Sequence, residues 1–552
     1  MSKAEKIALA FILIIAALLR LWRFPSYFPH FWDEAKYLCE VEGTIPYFSV
    51  NVGAFTFLKL GYSIFGLPSY PQIVTALFGV LTVLGCYFLG KRILQGERQG
   101  ILLGLLMAGQ VALMPYFVRY SRHALATGFA LCFFVFALYF YLSKLQHPPV
   151  KKPKDQKSYL RCGVIAAGLL AMVPACSFKF LLPTLTLFVV LEVFIWQARK
   201  TRRREYMATQ SLVLSVIVGL ALFFLIPLIL AGLSGYAGWL DRAVFLSEAH
   251  AARETMRLAF HFLYPIQLYY LSGPLFTICS LAGALLLLRR PKSSRVVMAG
   301  SRTNYLLVIS FAVYLLFFGI LSHLQSARVY VLTLPFLVYA SSFMLLRVRY
   351  SLARFGSIAC GAIYLLLLVS MGYITIDYMS KSSSLKPVSD IITQQIKPDQ
   401  VILSSSGAQI FYCIQNSKYY RGIPCRLQPI WTRLFLENDR WAMDANGPPV
   451  MVIQDGVNLA VIVHEYDSRD LLEDIGIDSL RSILRPSPSI VRVTDRIFAA
   501  TEDFYNTPYY YLEGLYSWRS YEYVKALMPQ SRDSVYVYIT DPSRLKTSGE
   551  KP

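Results

Sequence analysis

The stretch at residues 162–196, CGVIAAGLLAMVPACSFKFLLPTLTLFVVLEVFIW, decides how this chain is organised. It contains 35 mostly apolar residues, and segments rich in Lys and Arg lie on both sides of it. A membrane-spanning helix needs only about 20 apolar residues, so the stretch is too long for one span. Basic segments are typical of the cytoplasmic side of a membrane, and both ends carry one. The stretch therefore predicts a tight helical hairpin that turns near residues 174–179.

The composition extends this interpretation to most of the chain. Of the 552 residues, 55% are hydrophobic and only 16% are charged, and the mean hydropathy is +0.47. Such a chain is too apolar for a soluble protein of this size. We predict a polytopic α-helical membrane protein with about eleven spans before residue 377. Their predicted centres are near residues 14, 81, 108, 133, 169, 188, 220, 278, 312, 337 and 366.

The charges set the predicted orientation. Residues 1–376 hold 35 Lys and Arg against 12 Asp and Glu, whereas residues 377–552 hold 19 against 21. Clustered basic residues between apolar spans are typical of cytoplasmic loops and do not indicate nucleic-acid binding. The clusters are Lys3/Lys6, Lys91/Arg92/Arg98, residues 144–161, 199–204, 289–302 and 347–354. We therefore expect a cytoplasmic N-terminus and an outer location for everything after residue 376.

Two domains are predicted. Residues 1–376 form the transmembrane domain, with outer loops at about residues 23–70 and 234–266, and residues 377–552 form a soluble α/β domain on the non-cytoplasmic side. The second domain has short apolar runs at 401–403, 450–453 and 459–463, with expected helices at 388–396 and 469–474. Cys413 and Cys425 would suit a disulfide in an oxidising compartment, and their spacing leaves this open.

A pair of carboxylates follows the first span, in FWDEAKY at residues 31–37. Asp33 and Glu34 would lie just outside the membrane, where a carboxylate can act as a general base or bind a divalent metal. Two ordinary charges in a solvated loop would give the same pattern. The histidines expected on the outer side are His123, His250, His261 and His323, and an interfacial or loop-packing role is favoured over a ligand role for each. His261 is the one kept as a metal candidate.

Three short outer turns each carry basic residues, and this combination points to one kind of substrate. The turns are near residues 115–123, 174–179 and 322–328, and their cations are Arg119, Arg122, Lys179 and Arg328. A polyprenyl-phosphate sugar holds its phosphate at the membrane surface, where Lys and Arg stabilise a departing anion. The competing explanation for a single cation is snorkelling to lipid headgroups, which we expect of Arg20 and Arg23.

Five short motifs, in this order and topology, resemble a known family. They are DEAKY at 33–37, YSRHAL at 120–125, FKFLLP at 178–183, ARVYV at 327–331 and LPF at 334–336. The chain resembles the GT-C glycosyltransferases along the whole membrane region, in the branch of protein O-mannosyltransferases and bacterial lipid A aminoarabinose transferases. It departs from many relatives in two places. Thr127 stands where they carry a second Asp, and Asn51-Val52-Gly53 stands where they carry a stretch like Lys-Pro-Pro.

The resemblance implies roles for the candidate residues. Asp33, with Glu34 as its neighbour, would be the catalytic base or a metal ligand. The outer cations Arg328, Lys179 and Arg122 would hold the donor phosphate. Arg119, another outer cation, is a further candidate for the same role. A divalent metal cation stays open as a cofactor, with Asp33, Glu34 and His261 as its candidate ligands.

We therefore expect an inverting transferase that moves one sugar from a polyprenyl phosphate to a glycolipid, glycan or protein acceptor. The expected setting is the outer face of a bacterial inner membrane, with membrane lipids as surroundings and no nucleic acid as partner. A polymerase or ligase of lipid-linked oligosaccharides is the rival enzyme. A secondary transporter would favour ionisable residues near mid-membrane and paired halves, and a sensor would not need eleven spans as an anchor.

Overall fold

The structure, a computed structural model, describes most of the helical region and a few short strands beyond it. The described residues are 2–22, 24, 32–43, 50–66, 69–94, 97–147, 153–199, 205–234, 268, 272–288, 301–318, 327–352 and 355–380, together with the strands between 401 and 539. The chain forms two compact units. The first contains residues 1–25 and 46–378, and the second contains residues 26–45 and 379–552.

The first unit is helical. Its α-helices are α1 (Lys3–Arg20), α3 (Val52–Phe65), α4 (Tyr70–Ile93), α5 (Glu97–Leu113), α6 (Pro115–Arg122), α7 (Ala126–Leu145), α8 (Pro153–Cys176), α9 (Leu181–Arg199), α10 (Glu205–Ser234), α11 (Pro274–Leu288), α12 (Ser301–Leu316), α13 (Leu334–Ser351) and α14 (Gly356–Ser380). Two 3₁₀ helices are η1 (Phe178–Phe180) and η2 (Ala327–Thr333). Each of the eleven predicted centres falls inside one of these α-helices.

Several of these helices are long and apolar enough to cross a membrane. Among the described residues there are seven, and an eighth if α5 and α6, which are bent by 63°, count as one span. The seven are Tyr70–Ile93, Ala126–Leu145, Ser158–Cys176, Phe178–Ala198, Leu212–Leu233, Tyr330–Ser351 and Gly356–Ile376. The chain is therefore a multi-pass membrane protein, while the full number of eleven spans stays a prediction.

The predicted hairpin at residues 162–196 is confirmed. Helix α8 ends at Cys176, η1 makes the turn, and α9 begins at Leu181. Ser177 leaves the helical conformation, with φ −145° and ψ 97°, and this breaks the two spans apart. The turn places Lys179 between two antiparallel helices.

The bundle has two ends that are defined by contacts between helix termini. At one, which we call the Arg20 end, the Nε2 of Gln72 at the start of α4 donates to the carbonyl of Arg20 at 3.0 Å. Arg20 is the last residue of α1. The hydroxyl of Thr75 donates to the carbonyl of Arg122, the last residue of α6, at 3.2 Å. The helices α1, α4 and α6 thus meet there.

At the opposite end, which we call the Lys144 end, helix ends next to several of the predicted basic clusters come together. Lys91 of α4 pairs with Glu5 of α1 at 2.6 Å. Gln146, just after α7, donates to the carbonyl of Arg92 at 3.0 Å and lies 3.4 Å from the hydroxyl of Thr303 in α12. The predicted alternation of these clusters agrees with this arrangement. The side of the membrane that this end faces stays a prediction.

Two helices of the bundle cross at glycines. A Cβ on Gly90 of α4 would lie 2.8 Å from the Cα of Gly104 in α5, and one on Gly104 would lie 2.6 Å from the carbonyl oxygen of Tyr87. Glycine at both positions therefore lets α4 and α5 approach closely, as small residues do between membrane helices.

The second unit contains α2 (Trp32–Glu42) and a mixed sheet. The strands are β1 (Val401–Ser404), β2 (Arg426–Pro429), β3 (Val450–Asp455), β4 (Arg485–Pro486), β5 (Val491–Arg492) and β6 (Ser534–Ile539). Their order is β2-β1-β3-β6-β4, and β5 also pairs with β6. Strand β1 is parallel to β2 and β3, whereas β6 is antiparallel to its neighbours.

Strands β1 and β3 begin at Val401 and Val450, the first residues of two predicted apolar runs. The predicted run at 459–463, the helices at 388–396 and 469–474, the loop at 235–266 and the cysteine pair at 413 and 425 lie outside the described residues. The soluble character and the outer location of residues 377–552 stay predictions.

The interpretation of residues 23–70 as a loop is wrong for part of that range. It contains α2 and α3. Helix α3 is apolar but has only 14 residues, so counting spans by length passes over it. Helix α2 has only 11 residues, and five of them are charged, so it gives no membrane signal either.

Candidate functional site

The basic residues Arg119 and Arg122 lie on α6, a short helix set at an angle to α5. The sequence was expected to turn at residues 115–123, and instead it forms eight helical residues bent by 63° from α5. Pro115 starts this helix, because proline fits the first helical position and cannot continue the previous helix. Three residues apart on one helix, the two arginines lie on neighbouring positions of its surface.

Each of the two arginines is held by its surroundings. Arg119 is buried, with 2% of its surface exposed, and its guanidinium carbon lies 5.8 Å from the ring of Tyr120. Arg122 donates from Nη2 to the carbonyl of Trp22 at 2.7 Å. These contacts fix the directions of two guanidinium groups at the Arg20 end.

His123 follows α6 and is buried beside both arginines. Its burial, together with the positive charges of Arg122 and Arg119, holds the pKa of His123 well below its ordinary value of 6.5. The imidazole is therefore neutral at physiological pH. A neutral imidazole can donate one hydrogen bond and accept another, and it adds no charge to the segment.

Arg20 does not extend to lipid headgroups, and this expectation is wrong. The side chain is fully buried, with 0% exposed. Its Nε donates to the hydroxyl of Ser121 at 2.8 Å, and its guanidinium carbon lies 4.8 Å above the ring of Phe117. The position at the end of an apolar helix suggested snorkelling, but a hydroxyl on a helix distant in sequence provides a closer partner. Arg23, of which snorkelling was also expected, lies outside the described residues.

Lys179 lies in η1, the turn between α8 and α9. The backbone N–H of Phe178 donates to Oδ1 of Asn51 at 2.8 Å, so the residue before α3 anchors this turn. The Nζ of Lys179 lies 5.6 Å from the ring of Phe180, within the range of a cation–π contact. The side chain of Asn51 thus supports the turn.

A chain of aromatic rings connects the turn that carries Lys179 with the segment that carries Arg328. The rings of Phe180 and Phe318 are 5.7 Å apart, and those of Phe318 and Tyr330 are 6.3 Å apart, both edge to face. The hydroxyl of Tyr330 donates to the carbonyl of Phe318 at 3.2 Å. Phe180 follows Lys179 and Tyr330 lies two residues after Arg328, so Phe318 connects η1 with η2. The side chain of Arg328 lies outside the described part.

The two candidate carboxylates lie on a helix and not in a loop. Asp33 and Glu34 belong to the first turn of α2, where acidic residues suit the positive end of the helix dipole. Glu34 is fully buried, with 0% exposed, so the interpretation as an ordinary solvated charge is wrong for this residue. The side chain of Asp33 lies outside the described part, and its catalytic role stays a prediction.

A metal ligand set does not emerge from the described part of the chain. There, no group of three or more His, Cys, Asp or Glu side chains comes close enough to hold a metal ion. His261 lies outside the described residues. Thr127, at the position where the resemblance led us to expect a second Asp, is 2% exposed at the start of α7 and brings no carboxylate. A metal cofactor therefore stays open.

Sequence reasoning missed Arg20, Gln72 and Ser121 as parts of this region. The motif YSRHAL contains Ser121, which was noted only as part of a resemblance. Neither Arg20 nor Gln72 carries a pattern that marks it, because each acts through contacts 50 to 101 residues away along the chain.

Comparison with solved structures shows which fold this chain resembles. The predicted resemblance to solved GT-C structures is confirmed at the level of the fold. No protein-family model matches the chain, and no curated protein matches its sequence.

Three solved structures show this similarity of fold. The structure resembles the aminoarabinose transferase ArnT from Cupriavidus metallidurans, in the apo state, with a TM-score of 0.52 and 13% identity over 98% of this chain and 99% of that one. For ArnT bound to undecaprenyl phosphate, the TM-score is 0.50 at 13% identity, over 97% and 98% of the chains.

The oligosaccharyltransferase of Archaeoglobus fulgidus, tethered to an acceptor peptide, matches with a TM-score of 0.50 and 11% identity over 79% of this chain. This chain spans 64% of that longer one, less than two thirds of its length. At such low identities the likeness concerns the fold alone.

Proposed function

We propose that this protein is a glycosyltransferase that transfers one sugar from a polyprenyl-phosphate donor to a glycolipid, glycan or protein acceptor. The observation that carries the proposal is the fold shared with ArnT over 98% of the chain. The buried or anchored cations Arg119 and Arg122, and the turn that carries Lys179, add the electrostatics that such a donor needs.

The donor phosphate is the natural ligand of these cations. Guanidinium groups bind phosphate through paired, charge-assisted hydrogen bonds, and Lys adds a point charge. The ArnT neighbour was crystallised with undecaprenyl phosphate, which supports a lipid phosphate as this ligand. We assign Arg119, Arg122, Lys179 and Arg328 to the donor phosphate.

The proposed reaction is one displacement at the anomeric carbon. The acceptor oxygen forms a bond to this carbon, the bond from the carbon to the phosphate oxygen breaks, and the lipid phosphate leaves with the electron pair. Asp33 takes the acceptor proton as general base. Attack from the face opposite the leaving group inverts the configuration. Glu34 is the neighbouring carboxylate and the second candidate for the base.

We place the reaction on the outer side of a bacterial inner membrane. The basic termini that meet at the Lys144 end support a cytoplasmic location for that end, by the positive-inside rule. The Arg20 end then faces the periplasm, together with Arg119 and Arg122.

Transfer of a lipid-linked oligosaccharide is the second candidate function. The fold match to the archaeal oligosaccharyltransferase, at a TM-score of 0.50, favours it. The two functions differ in the size of the transferred group. Mass spectrometry of cell-envelope glycans and glycolipids, with and without the gene, separates them. Loss of a single sugar supports the proposal, loss of a whole oligosaccharide supports the second candidate, and unchanged glycans and glycolipids contradict both.

The roles are tested with purified variants and a polyprenyl-phosphate sugar. Asp33→Asn should abolish transfer and leave donor binding intact, because the change removes the base and keeps the shape. Arg328→Ala should weaken donor binding as well as turnover, by about 2–4 kcal/mol in a partly dehydrated site. Lys59→Ala, which removes an exposed cation of α3, serves as the control. Normal turnover in Asp33→Asn with loss in Glu34→Gln would move the base by one residue.

A further inference from the structure

The junction between α5 and α6 leaves backbone carbonyls without helical partners, and side chains from other helices bind them. The last carbonyls of any α-helix have no N–H to accept within that helix, and Pro115 brings no N–H of its own. The carbonyl of Ala112 accepts from Nη1 of Arg20 at 3.3 Å. That of Leu113 accepts from the hydroxyl of Thr375 at 2.7 Å. The bend is therefore held from outside.

Arg20 contacts both sides of this bend with one guanidinium. On the α5 side it donates to Ala112. On the α6 side its Nε donates to the hydroxyl of Ser121 at 2.8 Å, and its guanidinium carbon lies 4.8 Å from the ring of Phe117. A planar guanidinium has donors in fixed directions, so these contacts restrict the angle between the two helices.

The fit around Arg20 is tight. A Cβ on Gly79 of α4 would lie 2.4 Å from the Nε of Arg20 and 2.9 Å from the Cβ of Ser121. The side chain of Arg20 is fully buried. Its partners are the hydroxyl of Ser121, the carbonyls of Ala16 and Ala112, and the ring of Phe117, and all of these groups are neutral. Burying a cation among neutral groups is costly. That cost is consistent with a role in fixing geometry.

We infer that Arg20 is a positioning residue for the donor, acting through α6. It holds the bend so that Arg119, Arg122 and His123, which lie on or next to α6, keep one orientation. This inference rests on the proposed function for its consequence, the binding of a lipid phosphate. The geometric part, that Arg20 holds α6, can be tested without any donor.

The geometric test is alkylation of a thiol introduced by His123→Cys, read by peptide mass spectrometry. The residue at position 123 is 2% exposed, so the thiol should be protected while Arg20 is present. In the Arg20→Met background it should react. The native thiols of Cys86 and Cys132, buried in α4 and α7, should stay protected in both backgrounds and report that the bundle is folded.

The functional test is the Kd for undecaprenyl phosphate, measured on the folded fraction of each variant. Arg20→Met should weaken binding about tenfold or more, because a misplaced segment loses charge-assisted contacts. Gly79→Ala changes no charge but displaces Arg20, and it should weaken binding in the same direction. Lys59→Met, which removes a cation from the exposed face of α3, should leave the Kd unchanged.

The outcomes distinguish the positioning role of Arg20 from the proposed function of the protein. Protection of the thiol at position 123 in both Arg20→Met and Gly79→Ala would overturn the inference. Full recovery of binding in Arg20→Lys, with Gly79→Ala unaffected, would overturn it too, because charge alone would then be the cause. A wild-type protein that does not bind undecaprenyl phosphate contradicts the proposed function, and the alkylation result still decides whether Arg20 holds α6.

Discussion

A buried ion pair at the Lys144 end gives a quantitative prediction. The ammonium of Lys144 in α7 lies 2.7 and 2.5 Å from the two carboxylate oxygens of Glu192 in α9, and it donates to the hydroxyl of Ser215 in α10 at 3.2 Å. The side chains of the pair are 0% and 2% exposed. Lys144 had been grouped with a basic loop cluster, and the structure places it inside the bundle instead.

The expected magnitude follows from this burial. Glu192→Gln keeps the shape but leaves the ammonium of Lys144 without a countercharge in a site closed to water. Breaking a buried pair on one side costs about 3–5 kcal/mol. Lys144→Met and Glu192→Leu alone should each cost a similar amount, because each leaves the other buried charge unpaired. The double variant replaces both partners by apolar residues, and its stability should lie within about 1 kcal/mol of the wild type or above it. The pair should therefore show a coupling energy of about 3 kcal/mol or more.

The assay is a double-mutant cycle on the free energy of unfolding, from SDS titration in mixed micelles followed by far-UV circular dichroism. Lys91→Met is a matched comparison, because the side chain of Lys91 is 33% exposed and its partner Glu5 also accepts from the hydroxyl of Tyr87. Lys91→Met should lower the free energy of unfolding by less than Glu192→Gln does. A coupling energy below about 0.5 kcal/mol would refute the reasoning, since it would mean that water reaches the pair.

Two further predictions concern acid stability and topology. Because burial and two adjacent arginines lower the pKa of His123 below 6.5, the unfolded chain takes up a proton that the folded protein does not, and stability should fall as the pH drops below about 6.5, by at most about 1.4 kcal/mol per pH unit. His123→Gln should reduce this slope in thermal unfolding between pH 7 and 5, and an unchanged slope would show that His123 is protonated in the folded state. A tag after Pro552 should be cleaved by protease added to intact spheroplasts, and protection of the tag would reverse the predicted orientation.

The features that the sequence predicts well are those carried by neighbouring residues. Hydropathy adds up along a local stretch, so the helical centres and the hairpin at residues 162–196 could be found without a structure. The alternation of basic clusters is likewise a property of the linear chain, and it predicted which helix ends meet at the Lys144 end. Short helices such as α3 and α6 were not predicted, because each is too short to give the hydropathy signal of a membrane span.

The candidate site was predicted only as a set of segments. The basic residues of the predicted outer turns included Arg119, Arg122 and Lys179, since charges are rare in apolar stretches and stand out there. The tertiary structure decided how these segments are held, through the rings that join η1 to η2 and the guanidinium that spans the bend.

What the sequence by itself determined is thus the kind of protein and the order of its helices, because both follow from how each stretch partitions between water and lipid. What only the tertiary structure decided is the environment of each charge. Arg20 and Ser121 are 101 residues apart, and Lys144 and Glu192 are 48 apart. Whether a cation extends to the surface or is buried with a partner depends on which distant side chain packs against it, and local hydropathy carries no information about that partner.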